Sequence, residues 1–245
     1  MSRIFKALER AEAEGKRPAL PDLQPAETAR SFPEVDLPEP RGEYEQLKVA
    51  LALASSGSDL KSLMFVSALP GEGVSTVTLG FACAVVDGAS QGVLVVDADF
   101  VRPNLAGRLG VAPKAGLSEV LTKEVSRADA IHATPVQRLF FLGAGRRPID
   151  LAQARVRGRL EELLAELRTT FDYVVLDGGA LQNRPDSLLL AGQVDGVALV
   201  IRAERTGMDS ARAAAMQLRG TGANVLGTIL NRRREYLPKF LARRL

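Results

Sequence analysis

The chain has 245 residues, of which 46% are hydrophobic and 25% are charged, and its formal net charge is +3. This length suits one α/β domain with a large core plus short appendages, and the composition is that of an ordinary soluble globular protein. The small net charge gives no overall signature of nucleic-acid binding. No apolar run approaches the roughly 20 residues of a membrane-spanning helix, and the N-terminus lacks the apolar core of a signal peptide.

The only cysteine, Cys83, rules out an internal disulfide and fits a reducing compartment. We therefore expect a cytoplasmic protein that has no transmembrane segment of its own and that reaches a membrane only through a partner. Cys83 lies in an apolar stretch, so it is predicted to fill space in the core rather than to act as a reactive thiol.

Composition divides the chain into four parts. Residues 1–15 are predicted to form an amphipathic helix, with Ile4, Phe5 and Leu8 on its apolar face. Residues 16–40 contain six of the 13 prolines and are predicted to be an extended linker. Residues 41–231 form the globular domain. Residues 232–245 form a basic tail, which is either a solvated extension or a contact for acidic lipid headgroups or an acidic partner.

Within the globular part, helical and strand-like periodicities alternate. The predicted helices are Gly42–Ala54, Val77–Val86, Leu151–Thr169 and a segment around Ala213–Leu218; the predicted strands are Leu63–Val66, Val93–Val96, residues 138–142, Tyr173–Leu176, Val197–Ile201 and Val225–Asn231; residues 104–135 are predicted to be short helices and loops. This alternation predicts an α/β fold with a mostly parallel sheet and helices on both faces.

The link between the first strand and the second helix has the layout of a phosphate-binding loop. It reads Ser67-Ala68-Leu69-Pro70-Gly71-Glu72-Gly73-Val74-Ser75-Thr76. Glycines let backbone N–H groups converge on an anion, and the N-terminus of the next helix adds partial positive charge. Ser75 stands where such loops hold Mg²⁺. The alternative is that Gly71 and Gly73 only make a tight turn.

Val74 stands where phosphate-binding loops carry a lysine that reaches the outer phosphates. Loss of one charge-assisted hydrogen bond costs roughly 1.5–3 kcal/mol, or about one to two decades of affinity. Loss of charge stabilisation in the transition state costs more in rate. The sequence is therefore compatible with a working loop or with a degraded one.

Three aspartates follow apolar strands. Asp97 and Asp99 follow one strand, and Asp177 follows another. The carboxyl ends of parallel strands meet at the ligand-binding edge of a sheet. Mg²⁺ prefers carboxylate oxygens beside phosphates, and an aspartate can orient an acceptor hydroxyl or take its proton. The alternative interpretation is that these residues are solvated strand ends or helix caps.

Together these motifs resemble the ATP-binding domain of bacterial tyrosine kinases (BY-kinases), the autokinases that regulate capsule and exopolysaccharide synthesis. That family belongs to the deviant P-loop group of NTPases, which includes septum-positioning and plasmid-partition ATPases. The resemblance extends from about Gly42 to Asn231. Residues 1–12 resemble the start of the subgroup linked to exosortase-type polysaccharide loci.

The resemblance implies ATP or ADP and Mg²⁺ as cofactors, if nucleotide binding is retained. It implies catalytic roles for Asp97 and Asp99, with Asp97 near the transferred phosphate. It implies metal contacts by Ser75, Asp99 and Asp177, the last through water. It implies nucleotide contacts by Gly71, Glu72, Gly73, Val74, Ser75, Thr76 and Asn231. Asn231 would read adenine, although a turn role for it is nearly as well supported.

The chain also departs from the family pattern. Val74 replaces the loop lysine; Gly178-Gly179-Ala180 replaces Thr-Pro-Pro after the third motif; Gly42, Glu45 and Lys48 align with the Glu and two Arg used for ring assembly; and the tyrosine-rich tail is reduced to Tyr236. These departures affect nucleotide binding, ring contacts and the phosphate acceptor. They favour the interpretation that this chain needs less catalytic activity than the family's kinases do.

The favoured hypothesis is a regulatory or scaffold subunit of exopolysaccharide or capsule synthesis, with lost or reduced ATP binding and kinase activity (a pseudokinase). Its expected partner is a membrane polysaccharide chain-length or co-polymerase protein, at the inner face of the plasma membrane, and homo-oligomers are a further possibility. The alternative is an active tyrosine autokinase in which another cation, such as Arg102, replaces the lysine. A partition- or positioning-type ATPase is the third interpretation, which the missing early loop lysine disfavours.

Overall fold

The computed structural model describes residue 38 and residues 42–55, 59–147 and 149–233. The predicted N-terminal helix, nearly all of the linker, most of the basic tail and Tyr236 lie outside the described residues.

A seven-stranded sheet forms the centre of the described chain, in the order β3-β4-β2-β5-β1-β6-β7. The strands are β1 (Ser62–Ser67), β2 (Val93–Asp97), β3 (Ile131–Ala133), β4 (Leu139–Leu142), β5 (Tyr173–Ala180), β6 (Gly196–Arg202) and β7 (Val225–Asn231). All neighbouring pairs are parallel except β3 and β4, which are antiparallel. The predicted α/β class and mostly parallel sheet are confirmed.

Helices cover both faces of the sheet. They are α1 (Gly42–Ala54), α2 (Val74–Val86), α3 (Leu105–Arg108), α4 (Leu117–Thr122), α5 (Arg127–Ala130), α6 (Ala154–Thr170), α7 (Pro185–Ala191) and α8 (Met208–Gly220). Every residue of β1 is buried. Leu63 and Phe65 join the core with α2, whereas Met64 and Val66 join the core with α6. Because successive side chains of a strand point to opposite faces of the sheet, those of β1 contribute to two separate hydrophobic cores.

Three features differ from the sequence prediction. Strand β3 lies in a stretch expected to hold only helices and loops, and α7 was not predicted. Strand β5 continues past Asp177 to Ala180. It can do so because Gly178 has no side chain: a Cβ atom there would lie 2.1 Å from Cε of Met64. No described helix is long and apolar enough to cross a membrane.

Helix α1 packs against α2, the helix that follows the glycine-rich loop at residues 71–73. The ring of Tyr44 lies over Gly80 of α2, so closely that a Cβ atom on Gly80 would lie 2.1 Å from the ring carbon Cζ. Glycine in the middle of a helix costs about 1 kcal/mol relative to alanine. Its presence at this position is explained by the close approach of the tyrosine ring.

The effect of Gly80→Ala should therefore depend on Tyr44. In the wild-type background we expect the added methyl group to lower the free energy of unfolding by about 1–3 kcal/mol through overpacking. In a Tyr44→Ala background the same change should raise it by about 0.5–1 kcal/mol through helix propensity. Urea unfolding of the four proteins measures this coupling. Equal effects of Gly80→Ala in both backgrounds would contradict the docking.

Candidate functional site

Two glycines set the backbone shape of the loop between β1 and α2. Gly71 and Gly73 have φ angles of 81° and 97°, in the left-handed region where glycine is favoured. A Cβ atom on Gly73 would also lie 2.3 Å from the side-chain amide nitrogen of Asn231. The N-terminus of α2 follows directly at Val74, so its unpaired N–H groups and positive dipole end belong to the loop.

Glu72 holds this loop in place from within. Its carboxylate is 3% exposed, and its Oε2 atom accepts a hydrogen bond of 2.9 Å from the backbone N–H of Leu69. The hydroxyl group of Thr206 donates to Oε1. The backbone carbonyl of Glu72 accepts from Nδ2 of Asn231 at 2.9 Å. The loop is therefore tied to the segment after β6 and to the end of β7.

A cavity of about 240 Å³ opens beside the loop. It is lined by Ser67, Pro70, Gly71, Glu72, Gly73, Val74, Ser75, Thr76, Asp99, Arg102, Asn104, Gly179, Ala180, Arg184 and Arg232. All six predicted loop residues, 71–76, and Asp99 thus meet at one place. Asn231 lies at the wall of the loop rather than in this lining, with its amide on Glu72 and its Oδ1 accepting from the N–H of Arg232.

Asp97 lies deeper than the loop cavity, at the end of β2. It is 1% exposed, and its Oδ2 atom accepts from the backbone N–H groups of Asn104 and Leu105 at 2.9 and 3.1 Å. Burial, and secondarily the charge of Asp177 on the neighbouring strand, raise the pKa of Asp97 to about 7. It borders a second cavity of about 150 Å³, together with Phe141.

Asp177 is directly opposite Asp97, on β5. It is 1% exposed, and its Oδ1 atom accepts from the N–H of Gly179 at 3.1 Å. Its Oδ2 atom is buried and has no hydrogen-bond partner within the described chain. Burial raises the pKa of Asp177 to about 6, against the opposing effects of the nearby Ser75 hydroxyl and the Gly179 amide. An unpartnered carboxylate oxygen is suited to a metal-bound water.

Asp99 has a different environment. It is 8% exposed, and its Oδ1 atom accepts from the N–H groups of Val101 and Arg102 at 3.1 and 2.9 Å. The same oxygen forms an ion pair of 2.7 Å with Nη1 of Arg184. On the other side, Oδ2 faces Gly179, where a Cβ atom would lie only 2.4 Å away.

The predicted metal residues thus divide into two groups. Ser75 lines the cavity and Asp177 has an unpartnered oxygen, so both fit a hydrated Mg²⁺ held beside phosphates. Asp99 is already occupied by an arginine. Over residues 42–55, 59–147 and 149–233, no group of three or more His, Cys, Asp and Glu side chains is placed to hold a metal ion.

Four residues of the site were missed by sequence reasoning: Asn104, Arg184, Thr206 and Arg232. Asn104 donates from Nδ2 to the hydroxyl of Ser75 at 3.0 Å. It stands five residues after Asp99 in the acidic motif, and that position was the available signal. Arg184 and Thr206 also follow strands that end at this edge, but no motif distinguishes them from other loop residues.

The burial of Asp177 predicts that the free energy of unfolding depends on pH. Its folded pKa of about 6 lies above its ordinary value of 3.8, so its contribution to stability is full below about pH 4 and is lost as pH rises through about 6. Asp177→Asn removes the charge at every pH. We expect this variant to exceed the wild type by about 1–3 kcal/mol in free energy of unfolding at pH 8, with a smaller difference at pH 4.5.

Urea unfolding in EDTA at several pH values measures this difference. Glu162→Gln, on an exposed position of α6, removes the same charge and should show no such trend. A variant at Asp177 that is no more stable than the wild type at pH 8 would contradict the interpretation.

Comparisons with known proteins agree with this architecture. No protein-family model matches the chain. The tyrosine-protein kinase YwqD of Bacillus subtilis is 30% identical over 191 residues, which cover 77% of this chain and 79% of YwqD. The succinoglycan biosynthesis transport protein ExoP of Rhizobium meliloti is 30% identical over 192 residues. The match covers 77% of this chain but only 24% of ExoP.

Solved structures show the same relationship. The kinase domain of VpsO has a TM-score of 0.66 and 30% identity, covering 77% of this chain and 93% of that domain. The septum site-determining protein MinD of Pyrococcus horikoshii, complexed with Mg-ADP, has a TM-score of 0.57 and 27% identity, covering 75% of this chain and 76% of MinD. The chain is therefore similar to these kinases in sequence and in fold, and it belongs to the bacterial tyrosine-protein kinase family.

Proposed function

We propose that this chain is a tyrosine-kinase-family P-loop protein that regulates exopolysaccharide or capsule synthesis as a regulatory or scaffold subunit, with reduced or lost kinase activity. The observation that carries the proposal is the environment of Val74. This side chain is 6% exposed and packs within the core on the α2 side of the sheet. Val74 also lines the cavity that would receive the outer phosphates, so this position supplies no cation where a lysine would.

The missing charge matters more for chemistry than for shape. Phosphoryl transfer depends on positioning and on stabilisation of negative charge that develops in the transition state. Backbone amides of the loop can still face a phosphate, because the glycine conformations at 71 and 73 are present. Recognition of a nucleotide is therefore compatible with this site, whereas rapid transfer of its terminal phosphate is not supported.

Nucleotide and metal would be held by this chain's own residues as follows. The amides of residues 71–76 and the Ser75 hydroxyl would contact phosphates, and the unpartnered oxygen of Asp177 would reach a metal through water. Mg²⁺, when bound, would neutralise phosphate charge. Asn231 would contact adenine only by exchanging its present bond to Glu72. The Mg-ADP in the MinD relative supports this ligand class.

The proposed setting rests on the relatives. ExoP, named for succinoglycan biosynthesis transport, carries the similar region within about a quarter of its length. We infer that this chain acts beside a membrane polysaccharide co-polymerase, at the cytoplasmic face of the membrane. The proposed division into a helix at 1–15, a linker at 16–40 and a basic tail at 232–245 would let segments outside the domain contact that partner.

One observation favours the alternative, an active autokinase. Three arginines, Arg102, Arg184 and Arg232, line the phosphate cavity, and they could replace the charge of the missing lysine. Asp97, with a pKa raised to about 7, has the proton affinity of a general base near neutral pH. In that case Tyr236 would be the acceptor.

Restoring the lysine tests the proposal directly. We expect Val74→Lys to raise the affinity for ATP in excess Mg²⁺ by about 10- to 100-fold, because one charge-assisted hydrogen bond to phosphate is regained. Isothermal titration measures the affinity. Val74→Met, which lengthens the side chain without charge, should leave the affinity unchanged.

Immunodetection of phosphotyrosine after incubation with ATP completes the test. The wild type should give no signal. Micromolar binding of ATP together with tyrosine phosphorylation in the wild-type chain would overturn the proposal in favour of the autokinase.

A further inference from the structure

Arg184 places a positive charge between the end of β5 and the cavity beside the glycine-rich loop. It follows β5 at the N-cap of α7, between Asn183, whose φ is 57°, and Pro185 at the first turn of the helix. The proline ring fixes φ at Pro185, and Asn183 has a left-handed conformation on the other side of Arg184. The side chain of Arg184 is 18% exposed and lines the cavity.

The ion pair leaves Asp99 poorly suited to a metal. Three donors converge on its Oδ1 atom, one of them the Arg184 guanidinium at 2.7 Å. Its Oδ2 atom faces the backbone of Gly179, where even a methyl group has no room. A hydrated Mg²⁺ at this carboxylate would have to displace the guanidinium or lie beside it, and two neighbouring cations repel each other.

The guanidinium retains the capacity to bind an anion. It carries five N–H donors, and within the described part of the chain only Nη1 of Arg184 has an acceptor. Arginine recognises phosphate with two parallel hydrogen bonds. Arg184 could therefore hold Asp99 with one nitrogen and face a phosphate in the cavity with others.

The charges around the cavity agree with this arrangement. Val74 stands where phosphate-binding loops carry a lysine, so that positive charge is absent. Arg184, which the sequence motifs do not predict, adds a positive charge to the same cavity. We propose that Arg184 contacts nucleotide phosphates in this cavity, so that they bind whether or not Mg²⁺ is present at Ser75 and Asp177. This inference rests on the proposed function only in taking the loop as a nucleotide phosphate site, and it does not depend on whether the chain has kinase activity.

Titration of the full-length chain with ADP, in excess MgCl₂ and in EDTA, tests the inference. For the wild type we expect affinities that agree within about threefold in the two conditions, because Arg184 makes the metal dispensable. Arg184→Gln should weaken binding in EDTA by about tenfold or more. Because this variant frees Asp99, MgCl₂ should restore part of its affinity, so that the variant acquires the metal dependence that the wild type lacks.

Two further variants make the result decisive. Arg219→Gln removes the same charge from an exposed position in the last turn of α8, and it should bind ADP as the wild type does. Arg184→Lys keeps the charge but loses the planar fork, and it should bind ADP in EDTA with intermediate affinity. This second variant keeps the test valid if Arg184→Gln fails to fold.

Wild-type binding that requires Mg²⁺, binding that is indifferent to Arg184, or no binding of ADP in either condition would each overturn the inference. Absence of ADP binding would leave the proposed scaffold function standing. A phosphotyrosine signal from the wild type would overturn that function while leaving metal-independent binding of ADP measurable, so the two failures are distinguishable.

Discussion

Three carboxylates crowd one edge of the sheet, and the local structure depends on how their charges are accommodated. Asp97 and Asp177 are buried on neighbouring strands, where desolvation favours the protonated form of each. The charge of Asp177 adds to this effect at Asp97, and the charge of Asp99 adds to it at Asp177. Their raised pKa values, about 7 and about 6, follow from this placement. Asp99 instead takes an arginine partner. A cation that approached this edge would favour the ionised forms of the buried carboxyl groups.

The three carboxylates are stabilised differently because different hydrogen-bond donors lie near each of them. Asp97 receives backbone N–H groups from the start of α3, which fixes its carboxylate but leaves it deep in the sheet. Asp177 receives one N–H and keeps an unpartnered oxygen. Such unsatisfied buried oxygen atoms are uncommon in proteins and are found at functional sites. Asp99 accepts three hydrogen bonds, as Asp97 does, but one of those at Asp99 is an ion pair with Arg184. The metal-binding capacity of this edge therefore lies with Asp177 and Ser75 rather than with Asp99.

Sequence reasoning found what depends on local pattern. The glycine loop and the apolar strands that end in Asp97 and Asp177 carry their signal within a few residues, and the structure places them at one edge. Sequence reasoning could not identify Arg184, which forms an ion pair with Asp99 although the two residues are 85 positions apart in the chain. That contact depends on the register between β2 and β5 and on the turn at Asn183, which no periodicity encodes. Strand β3 was missed because three residues are too few to show alternation.

The loop of this chain keeps its shape without help from a phosphate. Glu72 is buried, and its two carboxylate oxygens are engaged by Leu69 and by Thr206, while its carbonyl is engaged by Asn231. A loop that depended on its ligand for order would leave these donors and acceptors to water. Because the fold itself supports the loop, its backbone shape does not depend on a charged side chain at position 74. What the site can bind then depends on the side chains around the loop, among them the uncharged Val74 and the arginines Arg102, Arg184 and Arg232.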